Sequence, residues 1–158
     1  MTTQHTPRIG IADLDDPAVQ AVIAYHQRTI AADSPPGFSF ALDLSGLKAP
    51  GVTVWAAHIE GEAAAIGALK RLDPESAELK SMRTLPRFLR QGLAAALLEI
   101  IIAHARAEGF SRLSLETGSG AAFEPALALY RRRGFVNGPA FADYVLTDFN
   151  QCLHLALD

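Results

Sequence analysis

The chain moves between two hydrophobic rhythms, and each change of rhythm marks an element. Residues 8–12 alternate weakly and predict a first strand. Asp15, Asp16 and Pro17 then give an acidic cap followed by proline at a first helical position. Val19, Val22, Ile23 and His26 or Ile30 recur at helical spacing, so a helix is expected to about Ala32. Two prolines and a glycine within 33–37 must break it. An aromatic-bearing segment follows at 38–42. It reads either as a hydrophobic plug over the core or as a loop lining a substrate pocket, and the sequence leaves both open.

The rhythm then shortens to two. Residues 51–59 and 63–70 read as strands around the tight turn Glu60-Gly61-Glu62, and 77–84 as a third strand after a turn at 72–75. Short turns make these an antiparallel meander. A long helix is expected from about Gln91 to Glu108, closed by Gly109. Nearly every position in it is Ala, Leu or Ile, which predicts burial on most sides. In 112–117, Leu113 and Leu115 point inward and Ser114 and Glu116 outward. A strand reached through a helix should lie parallel to the strand before it, with a right-handed crossover. A second helix is expected over 123–133, stopped by Gly134. A last strand pair is expected at 135–144 and 151–157, around a loop at 147–150. The fold class is α/β in the broad, α+β sense: one domain over 1–158, with a mixed, mostly antiparallel sheet and helices on both faces. Too few strands are parallel for a doubly wound dinucleotide fold.

Composition narrows the partners. The chain has 158 residues, 49% of them hydrophobic and 20% charged, with a net charge of -3. That is enough apolar surface for a core, and no basic surplus points to nucleic acid. The single cysteine, Cys152, excludes an internal disulfide framework and reads as a buried structural thiol. The five histidines lie on different elements without ligand spacing, so no metal is expected. Residues 1–8 are polar and do not resemble a signal peptide. The longest apolar run, 93–105, holds Glu99 and His104 and is too short to span a bilayer. A soluble, cytoplasmic protein without a membrane partner is the expectation.

The chemistry concentrates in 78–98. A strand runs into a loop broken by Pro86, and Gly92 stands at the mouth of the apolar helix. Free amides and the helix dipole suit a phosphate or pyrophosphate there, with Arg87 and Arg90 adding charge. Gly92, Ala94, Ala95 and Ala96 let a ligand approach closely.

Arg90-Gln91-Gly92-Leu93-Ala94 resembles the R/Q-x-x-G-x-G/A signature of the GNAT superfamily of acetyl-CoA-dependent N-acetyltransferases. Leu129-Tyr130-Arg131-Arg132-Arg133-Gly134-Phe135 resembles its L-Y-x-x-x-G-F motif. The element order matches over essentially the whole chain. Residues 114–120, and Gly138-Pro139 with Phe141, Asp143 and Tyr144, further resemble a small bacterial branch with unassigned substrate. The chain departs at Leu89, where the family carries Arg or Gln, at Ala94 in place of the second glycine, and at Phe40, near which the branch carries a His.

The resemblance implies a GNAT-like acyl-CoA N-acyltransferase fold, with one splayed parallel strand pair holding acetyl-CoA as co-substrate. Met82, Arg83 and Thr84 would meet the pantetheine, and Arg90, Gln91, Gly92, Leu93, Ala94 and Ala95 the pyrophosphate. Tyr130 would be the general acid for the leaving thiolate; its plain alternative is a core tyrosine. Glu78 would be the general base, or else a solvated strand-end charge paired with Lys80 or Arg112. Glu116 is a competing base or a structural carboxylate. Ser34, Phe38, Phe40, Glu116, Asp143 and Tyr144 would border the acceptor. The implied reaction is direct acetyl transfer to a primary amine of a small molecule. A non-catalytic acyl-CoA-binding or sensing domain of the same fold is the other reading, favoured by Leu89. Leu85 and Phe88 would cover the cofactor or meet a second copy in a homodimer.

Overall fold

A computed structural model describes residues 6–157; of the polar start read above, residues 1–5 lie outside it. Its strands are β1 (Arg8–Ile11), β2 (Val52–Ile59), β3 (Glu62–Arg71), β4 (Ser76–Thr84), β5 (Arg112–Thr117), β6 (Val136–Gly138) and β7 (Gln151–Ala156). They form one sheet in the order β1-β2-β3-β4-β5-β7-β6. Only β4 and β5 pair in parallel; every other neighbouring pair is antiparallel. The helices are α1 (Pro17–Asp33), α2 (Leu44–Leu47), α3 (Leu93–Ala107) and α4 (Glu124–Arg133). No helix among the described residues is long and apolar enough to cross a membrane.

Local chemistry explains the main boundaries. Asp16 caps α1 by accepting the Ala18 amide at 2.9 Å, with Pro17 at the first helical position. Glu60 and Gly61 both take positive φ, the combination a two-residue hairpin turn requires. The β2–β3–β4 meander follows as expected.

Both faces of the sheet are covered. On one, α3 and α4 pack Leu97, Leu98, Ile101, Ile102 and Leu127 against Trp55, Leu79, Leu113, Leu115 and Leu153. On the other, α1 and α2 pack Val19, Val22, Ile23 and Leu47 against Val54, Ala56, Ile66 and Ala68. Ser114, expected to face outward, is therefore fully buried on the α1 side, where its hydroxyl meets His154 Nδ1 at 2.7 Å.

Three further expectations are corrected. α3 is buried along one side rather than on most sides: Ala95, Glu99, Ile100, Ala103 and Arg106 form a solvent face, which alanines and Ile100 disguised in the apolar count. The strand expected over 135–144 shrinks to Val136–Gly138, because Pro139 lacks the amide needed to continue the ladder. The chain from 139 to 150 instead folds over the sheet without regular structure. Leu85 and Phe88 are core anchors rather than a cover for cofactor or partner: Phe88 is buried, and Leu85 packs against both hydrophobic clusters.

Candidate active site

The site begins where the parallel pair comes apart. β4 and β5 pair only at Ser76 with Arg112, Ala77 with Leu113 and Glu78 with Ser114. β4 nevertheless runs on to Thr84, and β5 to Thr117. Beyond Glu78 their facing edges are no longer paired to each other, so a gap opens with backbone donors and acceptors along both sides.

A bulge lies at the mouth of this gap. Ala68 pairs with Lys80 and Ile66 with Arg83, so Ser81 and Met82 together oppose the single residue Gly67. Ser81 takes φ +57, and its buried hydroxyl has no hydrogen-bond partner among the described residues. A bulge shifts the alternation of every later side chain. Met82 accordingly lies over Gly67 beside Ile101, on the α3 side; a Cβ at Gly67 would come within 2.6 Å of its sulfur. Arg83 turns the other way, to α1.

At the far end of β4 the chain makes a 3-10 turn at Pro86–Phe88 and enters α3 through two left-handed residues, Arg90 (φ +66) and Gly92 (φ +78). Gly92 brings no capping side chain, and the first helical bond runs from Ala96 to Gly92. The amides of Leu93, Ala94 and Ala95 therefore point out of the helix start without an intrahelical acceptor, a cradle for an anion. Arg87 is partly neutralised by Glu62 at 3.0 Å, whereas Arg90 has no protein partner among the described residues. Leu89 is exposed beside them.

A cleft partly open to solvent runs from this gap toward α1. Glu78, Met82, Arg83, Tyr130, Ser34, Phe38, Phe40, Glu116 and Tyr144 all line it. Thr84 and residues 90–95 do not; they continue from the end of β4 into the anion cradle. Asp143 also stays outside, exposed, while its neighbour Tyr144 turns in.

Glu78 is the third residue of β4 and only 3% exposed, so it is not a solvated strand-end charge. Its Oε2 accepts the Tyr144 hydroxyl at 2.5 Å and Lys80 Nζ at 3.2 Å, and Lys80 also donates to the Tyr144 oxygen at 2.8 Å. Glu78 Oε1 is left for the cleft. Glu116 lies half-buried across the gap; burial pushes its carboxyl up, and the Asn150 amide and Lys80 partly offset this. Tyr130 packs against Phe135, and burial pushes its phenol up to about 12, with Arg83 pulling the other way. Phe38 and Phe40 both line this cleft. Phe38 meets Phe149 and Phe40 meets Tyr144 edge-on, at centroid distances of 5.7 and 5.4 Å.

Lys80, His26 and Ser81 line the cleft without having been given a role in the sequence reading of the site. Lys80 appeared there only as a partner for Glu78. His26 was visible as an apolar-face position of α1; it is buried and accepts Arg83 Nε on Nδ1 at 2.9 Å. Desolvation, then Arg83 and Lys80, push its imidazole down to about 3, so it is neutral. Ser81 carried no local signal, although a glycine inside the facing strand marks a close approach or bulge.

Comparison with known proteins agrees with this geometry. Residues 19–135 match the acetyltransferase (GNAT) family model. An Escherichia coli (strain K12) protein named uncharacterized N-acetyltransferase YedL is 46% identical over 92% of this chain and 91% of its own. A candidate acyl-CoA N-acyltransferase from Klebsiella pneumoniae superposes with a TM-score of 0.77 at 27% identity, over 97% of this chain and 99% of that one. A GNAT acetyltransferase from Elizabethkingia anophelis, solved with acetyl-CoA bound, shares the fold with a TM-score of 0.67 at 18% identity, over 96% and 98%.

Proposed function

The chain belongs to the GNAT family of acetyltransferases, and we propose that it moves an acetyl group from acetyl-CoA directly to a primary amine of a small molecule. The observation that carries this reading is the gap beyond Glu78 and Ser114, with the Glu78 and Glu116 carboxylates on the two strands that bound it and the Tyr130 phenol reaching in from α4. The cradle at 90–95 and the unpaired strand edges fit the anionic and amide-rich parts of CoA, and the acetyl-CoA-bound neighbour of the same fold supports that fit. A cleft narrowed by aromatic rings suits a small acceptor better than a protein surface.

Bound acetyl-CoA would supply a thioester as acyl donor. The chain's own groups do the rest. Amides of 90–95 hold the phosphates, with Arg90 adding charge. Edge groups of Met82, Arg83 and Thr84 align the arm, and alignment alone removes much of the barrier. An acceptor arriving as an ammonium meets Glu116, whose charge has no cationic side chain within ion-pair distance among the described residues. Glu78 takes the amine proton on Oε1, directly or through a water, while Tyr144 and Lys80 fix the other oxygen. Tyr130 delivers a proton to the departing sulfur from the α4 side and recovers one from the acylated nitrogen, so that with the proton on Glu78 the ammonium has lost two.

The test is turnover of a primary-amine panel with acetyl-CoA, read as released thiol. Glu78→Gln is expected to lower kcat at least tenfold with little change in amine KM, and Glu116→Gln to raise amine KM with a smaller effect on kcat. Absence of turnover on every amine would remove this reading.

A further inference from the structure

We infer that the acceptor also carries a carboxylate, held by Arg83 on the α1 side of the cleft. The inference rests on the amine-acetylation reading for one end of the acceptor and specifies the other. Arg83 is on that side only because of the bulge. Without the extra residue, Glu78, Lys80, Met82 and Thr84 would share the α1 face, and Arg83 would point at α3. The strand departs from regular pairing, with Ser81 in a left-handed conformation, and the result is a cation in the acceptor half of the site.

The guanidinium is oriented without being neutralised. His26 is uncharged, and its Nδ1 takes the Nε proton, which fixes the plane of the fork. Both Nη groups remain without a hydrogen-bond or ion-pair partner among the described residues. Burial works against the charge of Arg83, and Tyr25, Tyr130 and Asp33 favour it only as a field. The other cations near the cleft differ: Lys80 is paired with Glu78, and Arg87 with Glu62. A half-buried guanidinium without a contacting counter-ion costs desolvation energy that the field of Tyr25, Tyr130 and Asp33 offsets only in part. An incoming anion would offset it.

The two ends of a fork match a planar carboxylate in a bidentate pair. A phosphate dianion would bring more negative charge than one free cation balances beside Glu78, Glu116 and Asp33. Charge matching therefore favours a zwitterion, with its ammonium toward Glu116 and Glu78 and its carboxylate toward Arg83. Glu78 pairs with Lys70 of β3 and Arg83 with Ile66, four residues apart, which separates their Cα atoms by roughly 13 Å. Two long side chains reaching inward shorten that to the length of a small amino acid, and Phe38, Phe40 and Tyr144 offer apolar surface for its side chain.

The experiment compares acid and amide forms of the same acceptors: L-phenylalanine with L-phenylalaninamide, and L-methionine with L-methioninamide. Wild type, Arg83→Gln and Arg83→Lys are each assayed for kcat/KM, with the KM for acetyl-CoA measured alongside. Wild type is expected to prefer the acids by ten- to a hundredfold. Arg83→Gln abolishes the preference, Arg83→Lys keeps part of it, and the acetyl-CoA KM stays within twofold in both. An acid-to-amide ratio that is the same in wild type and Arg83→Gln overturns the inference. So does a loss confined to acetyl-CoA KM, which would assign the guanidinium to the cofactor. If no amine turns over, the acetylation reading fails separately, and calorimetry with N-acetyl-L-phenylalanine and its amide in the presence of CoA still decides. Preference for the acid that vanishes in Arg83→Gln supports the carboxylate site, and equal binding of the two refutes it.

Discussion

Acidification should destabilise this protein through His26 more than through any ordinary surface histidine. The imidazole is buried between α1 and β4, with Arg83 Nε donating to its Nδ1 and Lys80 nearby. A proton placed on Nδ1 would both destroy that hydrogen bond and set two cations in contact, so the folded state refuses it until about pH 3. In the unfolded chain the same group titrates near the ordinary value of 6.5. The unfolded state thus binds more protons throughout the window between 6.5 and about 3. Stability from this group is complete above the upper limit and falls steadily as pH drops through the window. One pH unit of differential protonation is about 1.4 kcal/mol, so moving from pH 7 to 4.5 should remove about 2.5 kcal/mol through His26 alone.

The control is His26→Gln, which does not titrate and whose side-chain carbonyl can still accept from Arg83. Urea unfolding of both proteins at pH 7 and 4.5 gives the double difference, in which every other titrating group cancels. Wild type should lose about 2.5 kcal/mol more than the variant over that interval. Equal losses would refute the reasoning. A proton titration of the folded protein placing the His26 midpoint above 5 would refute it as well.

Tyr130→Phe keeps the ring packing on Phe135 and removes only the hydroxyl. It should slow acetyl transfer at least tenfold, leave CoA affinity within twofold by calorimetry, and change stability by less than about 1 kcal/mol. Gly92→Ala adds a methyl that meets nothing within 4 Å, so its penalty is conformational at φ +78: about 1 kcal/mol of stability, with a severalfold rise in acetyl-CoA KM from a reshaped cradle. Leu97→Ala opens a cavity in the fully buried seam between α3 and the sheet and should lower unfolding free energy by about 3–5 kcal/mol, read by chemical denaturation.

The elements were legible wherever one residue type has one physical reason to stand at a boundary. Asp16-Pro17 starts α1, Glu60-Gly61 turns a hairpin, and left-handed Gly109 and Gly134 follow α3 and α4. Boundaries set by tertiary packing were not legible. Residues 139–150 carry enough aliphatic and aromatic side chains to look like strand, but they bury Phe141 and Asn150 by folding across the sheet end. The tight Tyr144–Glu78 bond joins positions 66 residues apart, which no local pattern reports.

The phase of β4 shows most clearly why a site is harder to read than a fold. Alternation assigns every side chain from one reference residue, so a single inserted residue reverses all that follow it. Nothing in Leu79-Lys80-Ser81-Met82 announces the insertion; the trace lies in the facing strand, at Gly67, where Met82 fills the space a side chain would need. The inserted residue leaves the sheet order intact and the core well filled, because Met82 packs against Ile101 in place of the displaced side chain. It does not leave the chemistry intact. Arg83 is moved from the α3 side to a histidine 57 positions earlier in the chain, and the acceptor half of the cleft acquires its free cation. Fold tolerates such a shift because apolar packing asks only for volume, whereas a binding site asks which face carries the charge.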